Sequence, residues 1–349
     1  MTLRRFRKII ACCPHSVTGG PELLHQFVDQ MRHLGHDAHI HYYPSDAPYS
    51  CPDPYRHYDA PRTAWDDADD TLFILPEVAT RLIFRVKRGQ VAIWWLSVES
   101  YYATRSLNVL SRIGHVAAKT AFLFFVLRRY EHLAQSEYAR AHLARYGIRA
   151  HPLGDHLNPD YLTHAHKADE GVRENIILYN PKKGAAITQR LIDFCSDFDF
   201  VPIRNLSREE VLELMRRAKL YVDFGHHPGK DRMPREAAIA GCCIITGQQG
   251  AAGNDIDVAI PRRYKLDERD SDFLSRFQEA ARDVFKYFDE RTDDFRSYRN
   301  RILKEPAQFR HQARTLFGDA LPSDPDSAVA AGGADRSSLL PPNSKIQIK

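Results

Sequence analysis

The chain has 349 residues, 43% hydrophobic and 27% charged, the make-up of a soluble globular protein long enough for two domains with substantial cores. A net charge of +4 over that length gives no case for a nucleic-acid partner. Basic residues gather locally, at Arg4, Arg5, Arg7 and Lys8, at Lys87 and Arg88, and at Arg128 and Arg129, which suits either a solvated surface or contact with the inner face of a membrane.

Residues 7–13 read as a buried strand. A turn at 14–21 holds Gly19 and Gly20, a helix with apolar residues at helical spacing covers 22–34, and a strand covers 38–43. Strand, Gly-rich turn, helix, strand opens a Rossmann-like half, and the lack of GxGxxG argues against a nicotinamide or flavin cofactor. Residues 44–70 form an irregular loop by composition. A strand at 72–75 ends at Glu77, a helix fits 78–87, and a strand at 91–96 delivers Glu99. Glu77 and Glu99 therefore stand where parallel sheets hold ligands, as acceptor-side candidates or as helix caps. Residues 103–130 read as one helix whose apolar run, 121–127, is too short to span a bilayer. It suits a core helix or an interfacial face with Arg128 and Arg129 at headgroup level. A strand (132–136), a helix (137–146) and a strand (150–153) follow.

The polar stretch 163–174 marks a boundary between a domain at 1–165 and a second at 166–318, and the composition of 319–349 is that of a disordered tail. In the second half, a strand at 175–179 and the turn Asn180-Pro181-Lys182-Lys183-Gly184 lead into a helix at 185–194. A strand covers 198–203, and Ser207 with Glu210 forms a capping box. Next come a strand at 220–224, a loop crowded with Gly225, His226, His227, Gly229, Lys230, Asp231 and Arg232, a helix beginning at Glu236, and a strand at 242–245. An edge strand at 256–260 and helices at 273–288 and 293–317 complete the pattern. The adjacent pairs Cys12-Cys13 and Cys242-Cys243 lie in apolar runs. With no metal-ligand spacing and no signal peptide read, they fit reduced thiols of a cytoplasmic protein.

Two Rossmann-like halves without a dinucleotide fingerprint, with a phosphate-type loop in the second, resemble the GT-B glycosyltransferases over residues 7–317. The runs PEV, WWLSVES, YNPKKG and DFGHHPGKDRMPREAA look like those of retaining bacterial enzymes from surface-polysaccharide gene clusters. The resemblance implies an α/β fold of two Rossmann-like domains facing across a cleft. It implies a nucleotide-diphosphate sugar as co-substrate and an oligosaccharide or lipid-linked acceptor. It places Lys183-Gly184 at the donor diphosphate, Glu236 at the nucleotide ribose and Gly19-Gly20 near phosphates and acceptor. Two departures stand out: Pro228 replaces the first of two glutamates, and the arginine that precedes the Lys-Gly pair is missing, with Lys182 as a substitute charge.

Stabilising a departing diphosphate needs cations and helix N-termini, which suits Lys183, Gly229, Lys230 and Arg232 and needs no metal. His226, His227 and Asp231 are candidates to contact the transferring sugar or move a proton, and His15 to face the acceptor. The DID at 255–257 matches a metal motif by letter only, and no metal is expected. A sugar-nucleotide epimerase or hydrolase, or a silent nucleotide-sugar binder, are the alternatives.

Overall fold

The computed structural model describes residues 5–44, 50–104, 108–163 and 172–319. The first domain is a six-stranded sheet in the order β2-β1-β3-β4-β5-β6, every neighbouring pair parallel. Its strands are β1 (Lys8–Pro14), β2 (Asp37–Tyr43), β3 (Thr71–Pro76), β4 (Gln90–Trp95), β5 (Glu131–Ala134) and β6 (Ala150–Pro152). The second domain is a four-stranded parallel sheet in the order β10-β9-β7-β8, from β7 (Glu174–Tyr179), β8 (Asp199–Pro202), β9 (Ala218–Asp223) and β10 (Cys243–Thr246). Parallel strands are covered on both faces and so read as unbroken apolar runs. Ile9 through Cys13 and Cys242 through Ile245 are accordingly all buried, with the four paired cysteines as free thiols among them.

The helices are α1 (Gly19–His33), α2 (Val98–Tyr102), α3 (Val109–Phe125), α4 (Glu137–Ala144), α5 (Pro159–Thr163), α6 (Ala185–Phe194), α7 (Arg208–Arg217), α8 (Arg232–Ile239), α9 (Phe273–Lys286), α10 (Phe288–Asp293) and α11 (Arg296–Phe317). The capping box forms at α7: Glu210 N–H donates to Ser207 Oγ at 3.2 Å and Ser207 N–H to Glu210 Oε2 at 2.6 Å. The expected helix at 78–87 is a 3-10 segment, Glu77–Phe84. The expected single helix at 103–130 begins afresh at α3, because Asn108 Oδ1 accepts from the N–H groups of Leu110 and Ser111. Its reading as a core helix fails, since Leu123 is the one buried residue described in α3. No strand forms at 256–260, where Asn254 Oδ1 takes the N–H groups of Ile256 (2.9 Å) and Asp257 (2.8 Å) and curls the chain into a turn.

The chain crosses between the two cores twice. Leu157 and Tyr161, ahead of the expected boundary, pack in the core of the second domain. The long last helix begins in that core with Tyr298 and Ile302 and ends in the first, where Phe309, Ala313 and Phe317 pack.

Candidate active site

In an open parallel sheet the ligand crevice lies at the carboxyl ends of the strands where the winding reverses. The first sheet reverses between β1 and β3, whose ends deliver Pro14 and Glu77; the second reverses between β7 and β9, whose ends deliver Asn180, Lys183 and Asp223. All five residues line one cavity of about 720 Å³ between the domains.

Two helix N-termini converge on this cavity. Helix α1 starts at Gly19 and α8 at Arg232; neither N-cap residue, Thr18 or Asp231, makes a side-chain capping bond. Their first-turn amides are open to an anion. The two ends lie close together, for a methyl built on Gly19 would sit 3.7 Å from Arg232 Cδ. Arg232 Nη1 pairs with Glu22 of α1, while its Nε and Nη2 are buried with no hydrogen-bond partner. Helix α8 thus begins four residues before Glu236. Pro234 does not prevent this, because a first-turn residue needs no N–H donor. Glu236, one turn in, lines the cavity, and burial raises its carboxyl above the usual range.

The floor on the second-domain side is a buried charge cluster. Lys183 Nζ lies 2.8 Å from Asp223 Oδ1, also pairs with Asp231, and lies 3.1 Å from His227 Nδ1. His227 Nδ1 is 3.0 Å from Asp231 Oδ2 and its Nε2 3.2 Å from the Asp223 carbonyl. Burial raises the Asp223 carboxyl. Burial also works against Asp231, but the His227 hydrogen bond and the Lys183 charge hold it below its ordinary value. Asp223, His227 and Asp231 bring donor atoms within 4.8 Å of one another, a spacing fit for a cation, and the Lys183 ammonium is the cation placed there.

On the opposite wall Glu77 is 3% exposed, and Oε2 accepts from Leu96 N–H at 2.9 Å. Burial pushes its carboxyl up to about 7 against the backbone N–H groups that lower it. The loop after β9 closes one end of the cleft: Pro228 O accepts from Val98 N–H at 3.0 Å, and Lys230 N–H donates to Gln135 Oε1 at 3.1 Å. A Cβ on Gly229 would lie 2.3 Å from Leu96 O and 2.9 Å from Gln135 Oε1, so only glycine fits this apposition. Gly229→Ala is expected to disfavour it by about 1–3 kcal/mol. A larger radius of gyration in small-angle scattering, with folding intact, is the expected readout.

No protein-family model and no curated protein matches the sequence. Solved structures do match. Sucrose-phosphate synthase from Thermosynechococcus elongatus aligns with a TM-score of 0.58 at 12% identity, over 94% of this chain and 100% of that one. HepE from Anabaena, solved in complex with UDP-glucose, aligns at 0.58 and 11% identity, over 88% and 99%. The trehalose 6-phosphate synthase of Burkholderia multivorans aligns at 0.55 and 11% identity, over 94% and 100%. The fold is GT-B.

Within the GT-B cleft the expected residues divide. Gly19, Gly20, Glu77, Lys183, His226, Gly229, Lys230, Asp231, Arg232 and Glu236 all line the cavity. Lys230 nonetheless directs its ammonium to Glu305 at 2.5 Å and Asp155 at 3.8 Å, away from a free-cation role. His227 does not reach the cavity: its ring is fully buried beneath Lys183 and Asp231, a positioning place rather than a sugar contact. Lys182 is exposed outside the cavity and supplies no charge there. His15 is exposed too, with Nε2 3.0 Å from Ser50 O, and lies off the cavity wall. Glu99 stands behind His226, 2.9 Å from its Nε2, and accepts from Tyr138 Oη–H at 2.5 Å. Gly184 is structural: its φ of +59° and a would-be Cβ 2.3 Å from Phe224 O explain the glycine. Asp257, from the discounted DID, caps α4 across the domain boundary through the N–H groups of Glu137 (2.8 Å) and Tyr138 (2.9 Å).

Sequence reasoning passed over Glu22, Asp223 and Arg235. Asp223 carried a usable signal, since it ends the strand before the chosen loop. Glu22 carried one too, in the first turn after Gly19-Gly20.

Proposed function

We propose that this protein is a glycosyltransferase that moves a sugar from a nucleotide-diphosphate sugar to a glycan or lipid-linked acceptor in cell-surface polysaccharide assembly. The observation that carries the reading is the meeting of two uncapped helix N-termini with the unpartnered Nε and Nη2 of Arg232, one anion site built from both domains. A diphosphate placed there would receive hydrogen bonds from both helix starts and the guanidinium edge, which stabilises it as a leaving group without a metal. Glu236 is suited to accept from ribose hydroxyls, and Lys183, held by Asp223 and Asp231, to face the same diphosphate. Glu77, poised near neutrality, is suited to exchange a proton with an acceptor hydroxyl. HepE, of the same fold, holds UDP-glucose, which supports a nucleotide-sugar donor here. Retention at the anomeric carbon and a cytoplasmic site of action belong to the same reading. The resemblance at Lys183-Gly184 and Glu236 supports the first, and the free cysteines the second.

The test is a melting-temperature panel of nucleoside diphosphates. One of them, at about a hundredfold excess over its Kd, is expected to stabilise the protein by roughly 2.7 kcal/mol. Arg232→Ala is expected to weaken that nucleotide at least about tenfold, by loss of a charge-assisted contact. A panel in which no nucleotide moves the melting temperature would overturn the reading.

A further inference from the structure

We propose that α3, with the flanking segments Glu77–Phe84 and Leu127–Arg129, docks the first domain onto the surface of an anionic lipid bilayer, lying in its plane. Along this 17-residue helix Leu110 is 79% exposed, Val109 and Phe125 66%, and Ile113 61%. Val109, Ile113, Val116 and Phe124 recur at helical spacing, so their side chains form one unpartnered apolar face.

Charge says what covers it. Residues 77–130 hold nine basic residues and two acidic ones, Glu99 and the buried Glu77, in a chain whose total is only +4. Exposed Arg128 lies 5.0 Å over the Phe124 ring, and Arg81 and Lys119 flank a groove of about 340 Å³ walled by Phe84 and Phe122. An apolar face edged by cations and lacking carboxylates matches hydrocarbon beneath anionic headgroups. A second copy docked face to face would set the same positive charges against each other, which disfavours that occupant.

The fold also fixes the helix in the bilayer plane. It joins β4 to β5, adjacent strands in register at Trp94 and Leu133. Its distal half is tied down: Tyr101 Oη–H donates to Lys119 O at 2.8 Å, and Leu123 and Leu127 are buried in the core. Carrying one end across the roughly 30 Å of hydrocarbon would tear the other from the sheet. Helix α2 packs on α3 and follows Ser97, which lines the cleft, so the bilayer would lie beside the first-domain wall of the cavity.

Flotation of the full chain with vesicles tests this. The protein is expected to float with phosphatidylcholine and phosphatidylglycerol in equal parts, and not with phosphatidylcholine alone. Arg128→Glu with Arg129→Glu should reduce the vesicle partition coefficient by about fivefold or more for each charge. Leu110→Asp with Ile113→Asp should abolish flotation, while an unchanged melting temperature shows that these exposed positions leave the fold intact. Failure of the parent protein to float, or flotation undiminished in both variants, overturns the proposal. So does a dimer that the Leu110→Asp and Ile113→Asp pair dissociates in a protein that never binds vesicles, which would assign the face to a second copy.

Discussion

Arg235→Met is expected to lower stability by about 3–5 kcal/mol, seen as a fall in melting temperature of roughly 10 °C. Arg235 is fully buried in α8, where Nη2 lies 2.6 Å from Asp155 Oδ2 and Nη1 2.7 Å from Glu305 Oε2. Its remaining donors go to the carbonyls of Asp231 and Lys230, each at 3.1 Å. Methionine fills much of the volume but leaves two buried carboxylates with Lys230 as the cation that still pairs with them. Adding Asp155→Asn and Glu305→Gln should recover much of the loss, because an absent ion pair is better tolerated than half of one. The pH dependence has a definite sign. Burial works against the Asp155 carboxylate, but the charges of Arg235 and Lys230 hold its folded pKa below the ordinary value. Its stabilisation is therefore fully present above the unfolded carboxylate range and is lost as pH falls from that range through the lower folded pKa. In Arg235→Met that acid-sensitive contribution should vanish.

Lys183→Met should remove a comparable amount, about 3–5 kcal/mol at neutral pH, and abolish the response to nucleotide. The ammonium bridges Asp223 and Asp231 in the cleft floor, and without it the carboxylates face each other with His227 between them. In the parent protein the pair works with opposite signs. Asp231, held low, adds stability above the unfolded range that is lost in acid; Asp223, held high by burial, subtracts stability as pH rises through its folded pKa. Removing the lysine raises both, so the folded variant takes up protons more readily than the unfolded chain and gains stability as pH falls. A melting temperature that climbs more steeply in the variant than in the parent as pH falls, beyond the rise that the raised carboxyls of Glu77 and Glu236 give both, is the expected signature. A profile with the same slope as the parent's would show that Lys183 does not hold these carboxylates charged.

The strands were legible because a parallel sheet writes each as an apolar run, and the cleft was legible because loops at the carboxyl ends of such strands hold ligands and the two halves resemble GT-B; which strand ends are switch points came only with the fold. Gly19 was picked from its Gly-rich turn, Arg232 from its loop, and Lys183 and Glu236 from the resemblance, and all four line the cavity. Arg235 was missed: its partners lie 80 positions away at Asp155 and 70 away at Glu305, and an arginine inside a helix reads as solvent-facing until the fold brings acids to it. His227 was misplaced for a related reason, since adjacent loop histidines look alike in sequence while the chain turns one out and the other wholly in. The start of α8 was set too late, at Glu236, because Arg232 was counted with the cations of the loop rather than as the first helical residue. The exposed face of α3 could not be told from a core face, for both carry the same helical spacing and differ only in what is packed against them.

The two passages of the chain between the cores lie side by side. Gly154 N–H, on the first crossing, donates to Gln312 Oε1 of the last helix at 2.8 Å, and Arg235 ties Asp155 to Glu305 just beneath. Pro306, which interrupts the hydrogen bonding of that helix, falls between Ile302 in one core and Phe309 in the other. Two adjacent covalent pins define a hinge at one edge, like the spine of a book. Any parting of the leaves must turn about that spine, leaving the Arg235 cluster shut while Arg232 separates from Glu22 and Gly229 lifts away from Leu96.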